Sequence, residues 1–211
     1  MIKSDVDGII FDLDGTLWDS SQEVLRAWHE VASKNMDITK DITEEDLKGV
    51  MGLQIIEIGQ RLFPYLSNKR QEEILMECCE TECKYLKVNG GKLYDDLEKT
   101  LILLAEKYKL FIVSNCTCGY IEAFLEAHKL EQYFSDFENP GRTRLSKGEN
   151  IKLIIERNNL RNPVYVGDTE GDQKASRFAG VPFIYASYGF GHVDKYDYKI
   201  DKFKELIDMY I

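Results

Sequence analysis

Two aspartates, Asp12 and Asp14, stand two positions apart between an apolar run and a glycine, in Phe11-Asp12-Leu13-Asp14-Gly15-Thr16-Leu17. In an extended segment, side chains two apart project to the same side. Carboxylates that close each favour protonation of the other unless a cation lies between them. A hard divalent cation with oxygen ligands meets that need, and Mg²⁺ is the usual choice where phosphate is handled. Taken alone, the segment also reads as an Asx turn hinged on Gly15.

Three further groups bear on the same chemistry. Asp168 and Asp172 lie four apart in Gly167-Asp168-Thr169-Glu170-Gly171-Asp172, where the glycines permit a tight turn. Asp168 can complete a metal site, and Asp172 can stand behind it, holding waters or Lys147. Lys147 follows Ser146 just ahead of a helix; a lysine ammonium is a compact point charge suited to a phosphoryl oxygen. Ser114 closes the apolar run Leu110-Phe111-Ile112-Val113.

These groups need a scaffold that brings them together. Residues 6–12 and 163–168 read as buried strands ending at an acid, and 110–114 as a buried strand ending in polar residues. Helical patterns at 95–108, 120–128, 148–158, 173–179 and 202–210 alternate with these strands and with short ones at 133–137 and 182–185. The alternation predicts an α/β fold, a Rossmann-like doubly wound parallel sheet. Ligands bind outside the C-terminal strand ends of such a sheet, where Asp12, Ser114 and Asp168 all fall. From Ser20 to about residue 86 the period is helical and no strand is expected. Ser20 and Glu23 have the spacing of a capping box, and Gly49, Gly52 and Pro64 divide the stretch into about four helices. The expected organisation is a core of residues 1–16 and 88–211 with a small α-helical cap, residues 17–87, inserted after the first strand.

The residues match a family pattern. The chain resembles the haloacid dehalogenase superfamily of hydrolases, in the branch related to phosphoglycolate phosphatase and β-phosphoglucomutase. Four motifs occur in order: Phe-Asp-Leu-Asp-Gly-Thr-Leu at 11–17, Val-Ser-Asn at 113–115, Ser-Lys-Gly at 146–148 and Val-Gly-Asp-Thr-Glu-Gly-Asp at 166–172. The likeness spans residues 6–191 and implies roles. Asp12 resembles the nucleophile that becomes an aspartyl-phosphate, and Asp14 the acid/base. The Asp12 carboxylate, the Asp14 backbone carbonyl and Asp168 resemble the Mg²⁺ ligands. Thr16, Ser114, Asn115 and Lys147 resemble the phosphate-binding groups, Thr16 also helping to orient the loop near Asp14, and Asp172 resembles a supporting acid. Relatives that are true dehalogenases lack the second acid of the first motif, because a halide leaving group needs no proton. Asp14 therefore favours phosphoryl transfer. Two positions depart from the branch: Gly148, where relatives often carry proline, and Leu93-Tyr94-Asp95-Asp96, where they often show Pro-Gly-Val.

Composition narrows the partners. With 27 basic against 37 acidic residues the net charge is −10, which disfavours a nucleic-acid partner. No apolar run approaches membrane-spanning length, and the N-terminus lacks a secretory pattern, so a cytoplasmic monomer or homodimer acting on a small phosphorylated metabolite is expected. Of the five cysteines, Cys79 and Cys83 are one helical turn apart but read as reduced thiols, since no second pair stands at zinc-site spacing. Arg142 and Arg144 precede Lys147 and can raise the local positive potential. Trp18 reads as a packing or hinge residue. The sequence thus predicts a Mg²⁺-dependent phosphatase. Its alternatives are a β-phosphoglucomutase-like phosphomutase and, further off, a non-catalytic phospho-acceptor module.

Overall fold

The first strand, Gly8–Phe11 (β1), runs straight into the acidic loop, and all four of its residues are buried. In this computed structural model, which describes residues 5–211, Ile9 and Phe11 join one core cluster and Ile10 another. Successive strand residues face opposite ways, so β1 has core on both faces. Residues 1–4, the start of the expected core segment and of the N-terminal reading, lie outside the described residues.

After the acidic loop, β2 (Trp18–Asp19) leads into four helices: α1 (Ser21–Lys34), α2 (Glu44–Lys48), α3 (Ile55–Leu62) and α4 (Asn68–Asn89). The chain returns through β3 (Lys92–Leu93), which pairs antiparallel with β2. Two residues per strand leave no periodicity to read, so this pair, which flanks the stretch from Ser20 to about residue 86 where no strand was expected, is absent from the sequence reading. Helix α1 also begins differently from expectation. Ser20 has helical backbone angles (φ −91°, ψ −5°) and makes no side-chain cap bond; its hydroxyl donates to Asp14 instead.

The core then alternates: α5 (Leu97–Ala105), β4 (Lys109–Val113), α6 (Tyr120–His128), β5 (Phe134–Glu138), α7 (Pro140–Thr143), α8 (Lys147–Arg157), β6 (Pro163–Gly167), α9 (Glu170–Ala179), β7 (Phe183–Ala186), β8 (Tyr198–Ile200) and α10 (Glu205–Tyr210). The main sheet has the order β5-β4-β1-β6-β7-β8, with every pairing parallel. The chain builds outward from β1 through β4 to β5, then returns to place β6 on the other side of β1. This is a doubly wound α/β fold with an inserted helical cap. Its direction reverses at β1, and crevices form at such a switch point. Strand β8 was not expected; it is three residues long and only its last, Ile200, is fully buried. No helix among the described residues is long and apolar enough to cross a membrane.

Candidate active site

Register decides which side chains meet at the crevice. Phe11 pairs with Ile112 of β4 and with Val166 of β6. Asp12, the next residue, donates its amide to the Val166 carbonyl at 2.8 Å. Ser114 and Asp168 come one step later on the flanking strands. The loop after Asp12 turns on Gly15, whose φ is +79°. A Cβ there would lie 2.2 Å from Asp168 Oδ2. Only glycine combines that backbone conformation with so close an approach.

Helix starts supply the rest. Ser146 and Glu149 form a capping box that begins α8, making Lys147 its first residue. Thr169 and Asp172 form another at α9. The Asp172 carboxylate caps with Oδ2, which accepts from Thr169 Oγ1 at 2.6 Å and from the amides of Thr169 and Asp168. That leaves Oδ1 for Lys147 Nζ at 2.6 Å, and the same ammonium donates to Asp12 Oδ1 at 2.8 Å. All three side chains are buried.

Asp12, Asp168 and Asp172 each offer a carboxylate oxygen within 4.8 Å of the others. Among the described residues, no other group of three or more His, Cys, Asp or Glu comes together in this way. One lysine faces three buried acids, and the imbalance shows in their protonation. Burial, then the Asp172 charge, push Asp12 up to about 7 against the pull of Lys147. Burial, then Asp172 and Asp12, hold Asp168 well above the usual carboxylate range. Burial works against the charge on Lys147, but Asp12 and Asp172 outweigh it and hold the ammonium above its ordinary value. An excess of buried, hard oxygen donors is what a divalent cation relieves, so the residues fit one. Lys147 and the α9 cap take both Asp172 oxygens, whereas Asp168 Oδ2 accepts from the Phe190 and Gly191 amides and its Oδ1 only from Thr16 at 3.4 Å.

Asp14 lies apart from this cluster. Its Oδ1 accepts from Trp18 Nε1 at 2.9 Å, Tyr120 Oη at 3.1 Å and the Ser20 hydroxyl. Burial raises Asp14 to about 6, while the bonds from Ser20, Tyr120 and Trp18 work the other way. Tyr120 escaped the sequence reading, and Ser20 was read only as a helix cap, because their bonds to Asp14 and to each other join segments far apart in the chain. Trp18, expected to pack, is fully buried and also serves Asp14.

The other expected groups are placed as follows. Ser114 is buried at the β4 end. Asn115 reaches the cap, its Nδ2 donating to the Gly52 carbonyl at 2.9 Å, with Oδ1 buried and unpartnered. Thr16 is fully buried and gives its hydroxyl to Asp168 Oδ1 at 3.4 Å, away from the open site. Arg142 stacks over Phe137, whereas Arg144 lines a cavity beside Asp14. Cys79 and Cys83 belong to no metal-binding group among the described residues; both thiols are free, and burial pushes them well up. Glu82 also went unread. It is buried on α4 in line with Ile74, Leu75 and Cys78, and accepts from Trp28 Nε1 at 2.6 Å. An acid inside an apolar helical stripe is the signal that could have found it.

A parallel switch-point sheet with clustered acids and a buried lysine defines an acid-centred hydrolase site. The family model described as haloacid dehalogenase-like hydrolase matches residues 9–186. The chain belongs to that enzyme family. It is 26% identical to a phosphoglycolate phosphatase of Aliivibrio fischeri over 219 residues, covering 96% of each chain. A haloacid dehalogenase-like family hydrolase from Streptococcus pneumoniae has the same fold, with a TM-score of 0.84 at 20% identity over 98% of this chain and 99% of the other. A β-phosphoglucomutase from Clostridium difficile also shares the fold, with a TM-score of 0.76 at 17% identity over 96% of this chain and 93% of the other.

Proposed function

We propose that this chain is a Mg²⁺-dependent phosphatase that hydrolyses a small-molecule phosphate monoester through an aspartyl-phosphate on Asp12. The observation that carries the reading is the Lys147 bridge between Asp12 and Asp172, set against Asp168 at the switch point. In the first step Asp12 attacks phosphorus and the P–O bond to the organic group breaks. Asp14 gives its proton to the departing oxygen. In the second, Asp14 takes a proton from water, water oxygen attacks phosphorus, and the Asp12 carboxylate is released with inorganic phosphate. Two such steps are each easier than direct hydrolysis. Lys147, Ser114 and Asn115 hold the phosphoryl oxygens, with Thr16 supporting Asp168 behind them. Mg²⁺ would be held by the carboxylates of Asp12 and Asp168 with the Asp14 backbone carbonyl, and would supply charge neutralisation between nucleophile and phosphoryl group.

The domain division belongs to this reading. The cap, residues 17–87, covers a core of 1–16 and 88–211, and the β2–β3 pair at its base is the natural hinge. A cytoplasmic setting accompanies it, supported by five unpaired cysteines. The test is release of inorganic phosphate from a metabolite panel with Mg²⁺, compared with Asp12→Asn. Release lost in the variant supports the reading. No turnover of any ester would overturn it, and hexose phosphate isomerisation without net release would replace it with a phosphomutase.

A further inference from the structure

Beside Asp14, between cap and core, lies a cavity of about 290 Å³. At about 30 Å³ for each water-sized position it takes roughly ten non-hydrogen atoms. Asp14 is in its wall and Asp12 is not. On the reading above, Asp14 protonates the departing oxygen, so this space receives the organic group that leaves.

The walls are mainly apolar: Val24, Leu47, Val50, Leu53, Ile58 and Leu75 contribute from the cap. The polar lining includes the acids Asp14 and Glu82, the amide of Asn115 and the hydroxyls of Thr117, Tyr120 and Ser146. Glu82 lines the cavity with Trp28, whose indole already donates to Glu82 Oε2. Asn115 Oδ1 is buried without a hydrogen-bond partner, and Asn115 lines the cavity with Thr117, whose hydroxyl lies against the Cys79 and Cys83 thiols. The single cationic lining residue is Arg144, which is exposed and stands at the end of α7. Buried acceptors without donors cost free energy until a ligand supplies them. A carboxylate brought against these walls would be desolvated, and above pH about 7, where Glu82 is ionised, it would also meet a like charge.

We infer that the cavity selects an uncharged, largely apolar alcohol of up to about ten non-hydrogen atoms, carrying at least one hydroxyl donor, and that Glu82 is the residue that turns away acidic leaving groups. Glu82 is thus a specificity-determining residue, and phosphoglycolate, whose leaving group carries a carboxylate, is a poor substrate here despite the name of the sequence relatives. This inference rests on the phosphatase reading.

The test compares two benzyl phosphates, whose leaving oxygens are alike, with each other and with phosphoglycolate. The esters are 4-hydroxymethylbenzyl phosphate, 4-carboxybenzyl phosphate and phosphoglycolate, each assayed at about pH 8, where Glu82 is ionised, for phosphate release by the full chain with Mg²⁺. The expected kcat/KM for the hydroxymethyl ester exceeds that for either acid by about tenfold or more. In Glu82→Gln, which keeps the shape and an acceptor for Trp28, the carboxy-to-hydroxymethyl ratio rises about fivefold or more. A merely structural glutamate would leave that ratio unmoved. An acid ester that matches or beats the neutral one in the wild type overturns the inference and leaves the phosphatase reading standing, whatever the variant does. A ratio unchanged in folded Glu82→Gln overturns the role of Glu82. Failure of all three esters and of the wider panel overturns both readings.

Discussion

Lys147 Nζ is closer to Asp172 than to Asp12, at 2.6 Å against 2.8 Å. The supporting acid therefore fixes where the ammonium sits. Asp172→Asn leaves one side of its amide as a donor, and it faces either Lys147 or the three donors of the α9 cap. One set of buried groups goes unsatisfied, at a cost of about 1–3 kcal/mol. The variant is expected to lower the urea midpoint and to cut phosphate release by roughly 10–100-fold, the range for a group that orients a reacting residue. Lys147 and Asp12 remain paired, so the fold survives. Wild-type activity in Asp172→Asn would show that Asp12 alone places the lysine.

Three donors converge on Asp14 Oδ1, from Trp18, Ser20 and Tyr120. They hold the acid in one orientation beside the cavity. Tyr120→Phe removes a donor to both Asp14 and Ser20. The expected result is a fall in kcat of about 10-fold or more with a smaller change in KM, because the acid acts on a bond that breaks only after substrate is bound. Ser20→Ala should do the same without disturbing α1, since Ser20 makes no cap bond there. A pure KM effect in both variants would place these residues on substrate binding instead.

Such groups mark the limit of what the sequence shows. The loops around the site were legible because buried parallel strands read as apolar runs and Asp12, Ser114 and Asp168 follow directly on three of them. Helix α6 was read to the residue, Tyr120–His128. What escaped was either too short to carry a period, as with Trp18–Asp19 and Lys92–Leu93, or depended on two elements meeting in space. Ser20 had the spacing of a helix cap, yet the nearness of Asp14 claimed its hydroxyl. Glu82 carried no motif, and its neighbours Trp28 and Asp14 lie 54 and 68 positions away in the chain.

Burial raises Glu82 from an ordinary 4.5 to about 7, with the Trp28 hydrogen bond opposing the shift. The folded state therefore prefers the protonated acid. Its contribution is fully present below 4.5 and is lost as pH rises through 7. The span corresponds to about 3 kcal/mol at 1.36 kcal/mol per pH unit. Glu82→Gln, which cannot ionise, should be more stable relative to wild type at pH 8 than at pH 5, by up to that amount. Urea unfolding at the two pH values measures the difference. Equal differences at both would mean that Glu82 titrates normally in the folded chain.

The acid cluster makes metal dependence the sharpest remaining expectation. Burial and its neighbours hold Asp168 well above the usual carboxylate range. A cation that binds there must displace protons, so apparent affinity should rise with pH. Chelation with EDTA is expected to abolish phosphate release and Mg²⁺ to restore it, with the circular dichroism spectrum unchanged, since the core on both sheet faces does not depend on the ion. Asp168→Asn should raise the Mg²⁺ concentration for half-maximal activity by about tenfold or more, because a hard divalent cation loses a carboxylate ligand. Asp172→Asn, by contrast, should shift that concentration little, because the Asp172 oxygens already serve Lys147 and the α9 cap. A larger Mg²⁺ shift in Asp172→Asn than in Asp168→Asn would reverse the assignment of ligand and supporting acid.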